Sequence, residues 1–155
     1  MRVTYRLSRH WLGVMLAAGI AAPALASDQG FTQAFEAARA HQWDQIDHDA
    51  IEGHVLEGYV EYHELKSRLP GVSPSVINDY LKRHQNSVLS EWMRGVAQDA
   101  WGARQQFDDF LAISDGVPQG TTRQCWYYRA LLSQQPQRAA IGGRELWLVG
   151  HSQPS

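Results

Sequence analysis

After residue 27, apolar residues recur at three- and four-residue intervals along almost the whole chain, and strict apolar–polar alternation is nearly absent. A chain patterned this way has one route to hiding its apolar surface: helices packed against helices. Val88, Leu89, Trp92, Met93, Val96, Ala97, Ala100 and Trp101 form the strongest stripe. Phe31, Ala34, Phe35 and Ala38 share one helical face. Val55, Leu56, Tyr59, Val60 and His63 make another stripe, with Tyr62, Leu65 and Leu69 beside it. A helix with two apolar sides must be sandwiched between others. Ser73-Pro74 marks a helix start, because serine can cap and proline fits the first helical position. Val76, Ile77, Tyr80 and Leu81 follow it at helical spacing. Thr121 or Thr122 is expected to cap a helix carrying Cys125, Trp126, Tyr128 and Leu132. The final helix is expected from about Pro136 to about Val149, with Ile141, Leu146 and Trp147 apolar. Within it, Gly142-Gly143 signals either a close helix approach or a break; the helix-forming run that resumes at Glu145 favours the approach.

The links are short: Leu69 to Val72, Arg83 to Asn86, Ser133 to Gln135. Short links make antiparallel neighbours. A faint internal repeat adds to this. Ala38 to Ile46 parallels Ala103 to Leu111, and Gln134 to Ala140 occupies a similar place further on. The expected fold class is all-α: stacked antiparallel helix pairs forming part of an α-superhelix, a tetratricopeptide-like solenoid. An ordinary orthogonal helical bundle is the alternative.

Residues 1–26 have the three parts of a secretory signal peptide. Arg2, Arg6 and Arg9 form a positive head, Trp11 to Ala22 is apolar, and Ala24-Leu25-Ala26 is a small-x-small cleavage site. A permanent span needs about 20 apolar residues, more than this run offers. The expected organisation is a signal peptide at 1–26, cut after Ala26, and a helical domain at 27–155. That implies an exported, periplasmic chain with no membrane attachment after cleavage. Without the three leader arginines, eleven basic residues face sixteen acidic ones, a formal charge of −5. That balance excludes a phosphate-backbone binder, which needs a clustered basic face. Cys125 is the single cysteine. In an oxidising compartment it reads as a buried small hydrophobe, as half of a disulfide whose partner lies beyond Ser155, or, least well among aromatic neighbours, as a reactive thiol.

The residues show no active site. The histidines lack the i, i+4 spacing of a zinc helix and have no cysteine nearby, so no metal or other cofactor is expected. Most carboxylates sit at helix starts or on polar faces. Glu61, in a crowded aromatic run, reads as a solvated or tyrosine-bonded structural carboxylate. Tyr59, Tyr62, Tyr80, Trp92 and Trp101 could stack on sugar rings, although aromatics at helical spacing are more often core.

Two anchors near the C-terminus carry a family likeness. Gly120, Thr121, Thr122, Cys125, Tyr127, Tyr128 and Ala130 form the first, and Arg144 to Leu148 with Gly150, Ser152, Gln153 and Pro154 the second. Tyr59-Val60-Glu61-Tyr62 followed by Leu65 adds a third match. Together they resemble the N-terminal superhelical region of the soluble lytic murein transglycosylases. The resemblance implies that Cys125 pairs with a cysteine shortly after the Ser152-Gln153-Pro154 segment, beyond Ser155. It also implies a parent enzyme that cleaves the N-acetylmuramic acid–N-acetylglucosamine bond of peptidoglycan to a 1,6-anhydro product. The family's catalytic glutamate lies in an E-S-x-F motif that this sequence does not contain, so no catalytic residue carries over. By this reading the chain is a non-catalytic N-terminal scaffold that holds glycan strands, with Tyr59 and Tyr62 as contact candidates. A superhelix ending here would expose an apolar face and self-associate. The competing expectation is a free-standing periplasmic adaptor that binds protein partners.

Overall fold

The computed structural model describes residues 28–150. The signal-peptide reading and the Ser152-Gln153-Pro154 anchor lie outside these residues. The described residues form seven α-helices and no strand: α1 Asp28–Arg39, α2 Glu57–Arg68, α3 Pro74–Arg83, α4 Val88–Ala103, α5 Phe107–Ala112, α6 Thr121–Leu131 and α7 Pro136–Gly150. A single 3-10 turn, Trp43–Gln45, follows α1.

The stripes pack largely as patterned. Leu89, Met93, Ala97 and Trp101 of α4 are buried. They meet Ile77, Tyr80 and Leu81 of α3, Phe110 of α5, and Tyr127 and Leu131 of α6 in one core. A second, smaller core joins Ala34, Ala37 and Ala38 of α1 to Ile46, Ile51 and Val60. Helix α2 serves both. Val60 faces the small core and Tyr62 and Leu65 the large one, which is the sandwiched helix expected from its two apolar sides. Packing then runs along the chain, with α3, α5 and α6 on α4, and α7 on α6.

Polar contacts pin α3 to α2. Tyr80 donates its hydroxyl to the Gly58 carbonyl at 2.9 Å. Burial pushes this phenol far above its ordinary pKa, with Glu61 adding to the rise. Glu61 is neither free nor tyrosine-bonded: Arg83 donates Nη1 to its Oε2 at 2.7 Å. That hydrogen bond is the largest of the causes holding the Arg83 guanidinium above its ordinary value.

Several expectations are corrected. Val55 and Leu56 precede α2 and face solvent, Val55 at 90 % exposure, because the backbone is still in turns until Glu57. Neither threonine caps α6. Gly120 holds the N-cap position with φ +88, a conformation that an L side chain resists. Helix α6 is also rotated from the expected face. It buries Tyr127, Ala130 and Leu131, which leaves Cys125 and Leu132 exposed. The buried-thiol reading of Cys125 therefore fails. In α7, Ile141 and Trp147 are exposed. Gly142 does mark a close approach, since a Cβ there would run into the Tyr128 ring. The helix continues unbroken through both glycines.

The internal repeat exists as geometry, shifted by one residue from the sequence match. His41 and Gln105 both adopt left-handed backbone, at φ 59 and 60. Gln42 N–H donates to the Ala37 carbonyl and Gln106 N–H to the Trp101 carbonyl, each at 2.9 Å. His41 donates to Ala38 and Gln105 to Gly102, at 3.2 and 3.1 Å. Both are Schellman turns, which satisfy the last carbonyls of a helix. The third copy differs. Gln134 and Gln135 both donate to the Leu131 carbonyl, and neither residue is left-handed.

Candidate functional site

Helix α4 is set by Ser87, whose hydroxyl accepts from the Leu89 N–H at 3.1 Å. With Met93 and Ala97 turned inward, Glu91, Trp92, Arg94, Gly95 and Gln98 are left along the other side. These five line a groove of about 430 Å³ with Asp115, Val117 and Pro118 from the loop after α5, and Arg123 from α6.

The groove is polar and braced. Arg94 donates Nη1 to the Ile113 carbonyl at 2.6 Å, and its Nη2 lies 3.1 Å from Asp115 Oδ2. Its Nε is buried with no hydrogen-bond partner. Gln98, 2 % exposed, donates Nε2 to Ser114 Oγ at 3.0 Å. Arg123 forms a two-pronged pair with Asp99, Nε to Oδ1 and Nη2 to Oδ2, both at 2.7 Å. That pairing is the main cause raising the Arg123 guanidinium above its ordinary value. Gly95 lets the guanidinium lie close, since a Cβ there would sit 3.2 Å from Arg123 Nη2.

Trp92 gives the groove its apolar wall. Half of its surface is exposed, and it stands edge-on to Tyr59 and Tyr62, with centroids 6.4 and 6.2 Å away. Of the five aromatics considered from sequence, Trp101 and Tyr80 are fully buried and Tyr62 is 9 % exposed. Tyr59 is half-buried. Tyr62 and Tyr59 therefore back the platform, while Trp92 offers a face to solvent. An open indole beside planar amide, guanidinium and carboxylate groups suits a ring bearing hydroxyls and amides. Glu91 and Asp115 do not form an acid–base pair. Both lie largely in solvent, and both lean on the Arg94 guanidinium. The apolar enclosure that general acid work requires is absent around them. The groove can bind and orient; nothing in it is placed to transfer a proton.

A second groove, of about 470 Å³, lies between α6 and α7 and is almost wholly apolar. Cys125, Tyr128, Leu132, Leu146 and Trp147 line it, and Trp147 is 62 % exposed. Among the described residues no three histidine, cysteine or acidic side chains gather as metal ligands. Among the same residues no helix is long and apolar enough to cross a membrane. Sequence reasoning named Trp92 but missed Arg94, Gln98, Asp115 and Arg123. They come from three segments, and no local pattern announces that the segments meet.

The chain is 26 % identical to the soluble lytic murein transglycosylase of Escherichia coli K12 over 121 residues, which cover 73 % of this chain and 19 % of that enzyme. The same enzyme from Salmonella typhimurium LT2 matches with the same identity and the same coverage. This chain thus spans about a fifth of the length of the curated relatives it matches. No family model matches the chain. No solved structure matches it.

Proposed function

We propose that this chain is an exported, non-catalytic helical scaffold that contacts peptidoglycan glycan strands through the Trp92 groove. It would serve as the N-terminal superhelical part of a lytic transglycosylase whose chemistry lies elsewhere. The observation that carries this reading is the similarity to two soluble lytic murein transglycosylases, which extends over most of the chain. The groove supports it with a ring-sized aromatic face beside hydrogen-bonding groups. The same reading assigns Cys125 to a disulfide with a cysteine beyond Ser155, a role that its exposure permits. A protein-binding adaptor is the second reading. The apolar groove between α6 and α7 favours it, and in the isolated chain that face would drive self-association.

Co-sedimentation of the full chain with purified, insoluble peptidoglycan tests the first reading. We expect saturable pelleting that Trp92→Ala weakens about tenfold or more, as loss of one stacking platform implies. Lys82→Ala, on α3 and outside the groove, should matter little. Equal pelleting by the wild type and Trp92→Ala would remove the groove from the proposal. Release of soluble anhydro-sugars by the chain alone would overturn its non-catalytic assignment.

A further inference from the structure

A third concavity, of about 460 Å³, lies where the end of α1 crosses α2, and it shares no residue with the Trp92 groove. Arg39 and His41 line it from the first Schellman turn, and His63, Lys66 and Ser67 from α2. All four ionisable groups are cationic or can become so, in a chain whose overall balance is acidic.

The cations have little to hold them. Among the described residues, no carboxylate lies within ion-pair reach of Lys66, His41 or His63. Lys66 Nζ instead sits 5.8 Å over the Tyr62 ring. Arg39 touches Glu36 only loosely, at 3.5 Å with both side chains mostly in solvent, a pairing worth little and readily exchanged. Glu64, the other nearby acid, is turned to Arg68 at 3.5 Å. The helix-end carbonyls that could have accepted from these cations are taken by the turn itself, at His41 N–H and Gln42 N–H. The ring of His63 is fixed between Phe35 and Tyr62, edge-on to both. It therefore presents its nitrogens at a set place. Burial, then the charges of Lys66, Arg39 and His41, hold His63 below its ordinary pKa. Like charges converging on one concavity repel each other and are relieved by an anion between them.

We propose that this pocket is an oxyanion-binding site, taking a carboxylate or phosphate group between the Lys66 ammonium, the Arg39 guanidinium and the His63 imidazole. The proposal stands apart from the glycan reading. A free phosphate group and the carboxylate of a sugar or peptide share the chemistry required.

The test is an NMR titration of the histidine rings in the full chain with inorganic phosphate, with chloride holding ionic strength constant. The expected result is a saturable shift of the His63 ring and a rise in its apparent pKa, because a bound anion favours the imidazolium. Replacing Arg39→Gln and Lys66→Gln together should weaken binding by about tenfold or more, as removal of two charge-assisted contacts implies. Lys82→Gln, on α3 and outside the pocket, should leave it unchanged. Saturation by neither phosphate nor N-acetylmuramic acid, or the same saturation in the double variant, overturns the site. A second arm compares N-acetylmuramic acid with its methyl ester. Saturation by the acid alone assigns a carboxylate ligand, and saturation by phosphate alone assigns a phosphate ester. Failure of the peptidoglycan pelleting assay would leave this result untouched, since Trp92 lies outside the pocket.

Discussion

The two Schellman turns close their helices with the same hydrogen bonds and the same left-handed residue, yet they sit in different surroundings. Around the second, Trp101 and Phe110 are both fully buried in the large core. Trp101 also donates its indole N–H to the Pro70 carbonyl at 3.0 Å. Around the first, Ala37 and Ile46 hold the corresponding places in the small core, 8 and 9 % exposed. The turn is local chemistry, closed by the same pair of backbone hydrogen bonds in either setting. What it anchors is decided by how many layers cover it: α3, α5 and α6 surround α4, whereas α1 rests on α2. A shared local motif thus yields one stable centre and one lightly held edge.

Removing the anchors should break the equivalence most sharply. Trp101→Ala or Phe110→Ala should destabilise the whole chain by about 3–5 kcal/mol through cavity formation. Ile46→Ala should cost about 2 kcal/mol and release only the first helix. Denaturant unfolding gives the sizes, and amide exchange gives the extent. If Ile46→Ala strips protection from α4 as well, the two cores are one cooperative unit and the contrast is wrong.

The residue one turn earlier sharpens the comparison. Gly102 lies under Trp126, whose ring a Cβ would strike; its counterpart is Ala38. Gly102→Ala should destabilise by about 1–3 kcal/mol through overpacking, against the helix preference for alanine. Ala38→Gly should cost about 1–2 kcal/mol, the propensity difference plus the loss of a buried methyl. A stabilised Gly102→Ala would show that Trp126 moves aside freely.

The smallest effect concerns pH and belongs to the first turn. His63 has a native pKa below its ordinary 6.5. As pH falls through 6.5, the unfolded chain takes up the proton before the native one does, so stability drops until the native value is passed. Thermal melts between about pH 7 and pH 5 should show a decline that His63→Gln flattens. An unchanged slope in His63→Gln would place the pH sensitivity in another group. The second turn has no histidine near it in sequence and should show no such local response.

The helices were legible because period and links are local properties. The stripe on α4, the start at Pro74 and the continuity through Gly142 all follow from spacing and residue type. The face of α6 was not legible. Cys125, Trp126, Tyr128 and Leu132 and, alternatively, Tyr127, Ala130 and Leu131 are both apolar sets at helical spacing. The choice between them depends on where α4 and α5 stand. The Trp92 groove was half legible, since the aromatic and, with it on α4, Arg94 and Gln98 lie in one segment, but Asp115 comes from a loop and Arg123 from another helix.

By itself, then, the sequence determined that this chain is helical and where most helices begin; it pointed to a recurring turn after α1 and α4 one residue out of register, and to a third copy that the structure builds differently. It did so through backbone propensity and apolar spacing, which act over a few residues. Only the tertiary structure decided which of two apolar faces is buried, that Trp92 reaches solvent while Trp101 does not, and that Arg39 and Lys66 share one pocket with two histidines. Those outcomes depend on distances between segments far apart in the chain, and helical spacing carries no information about them.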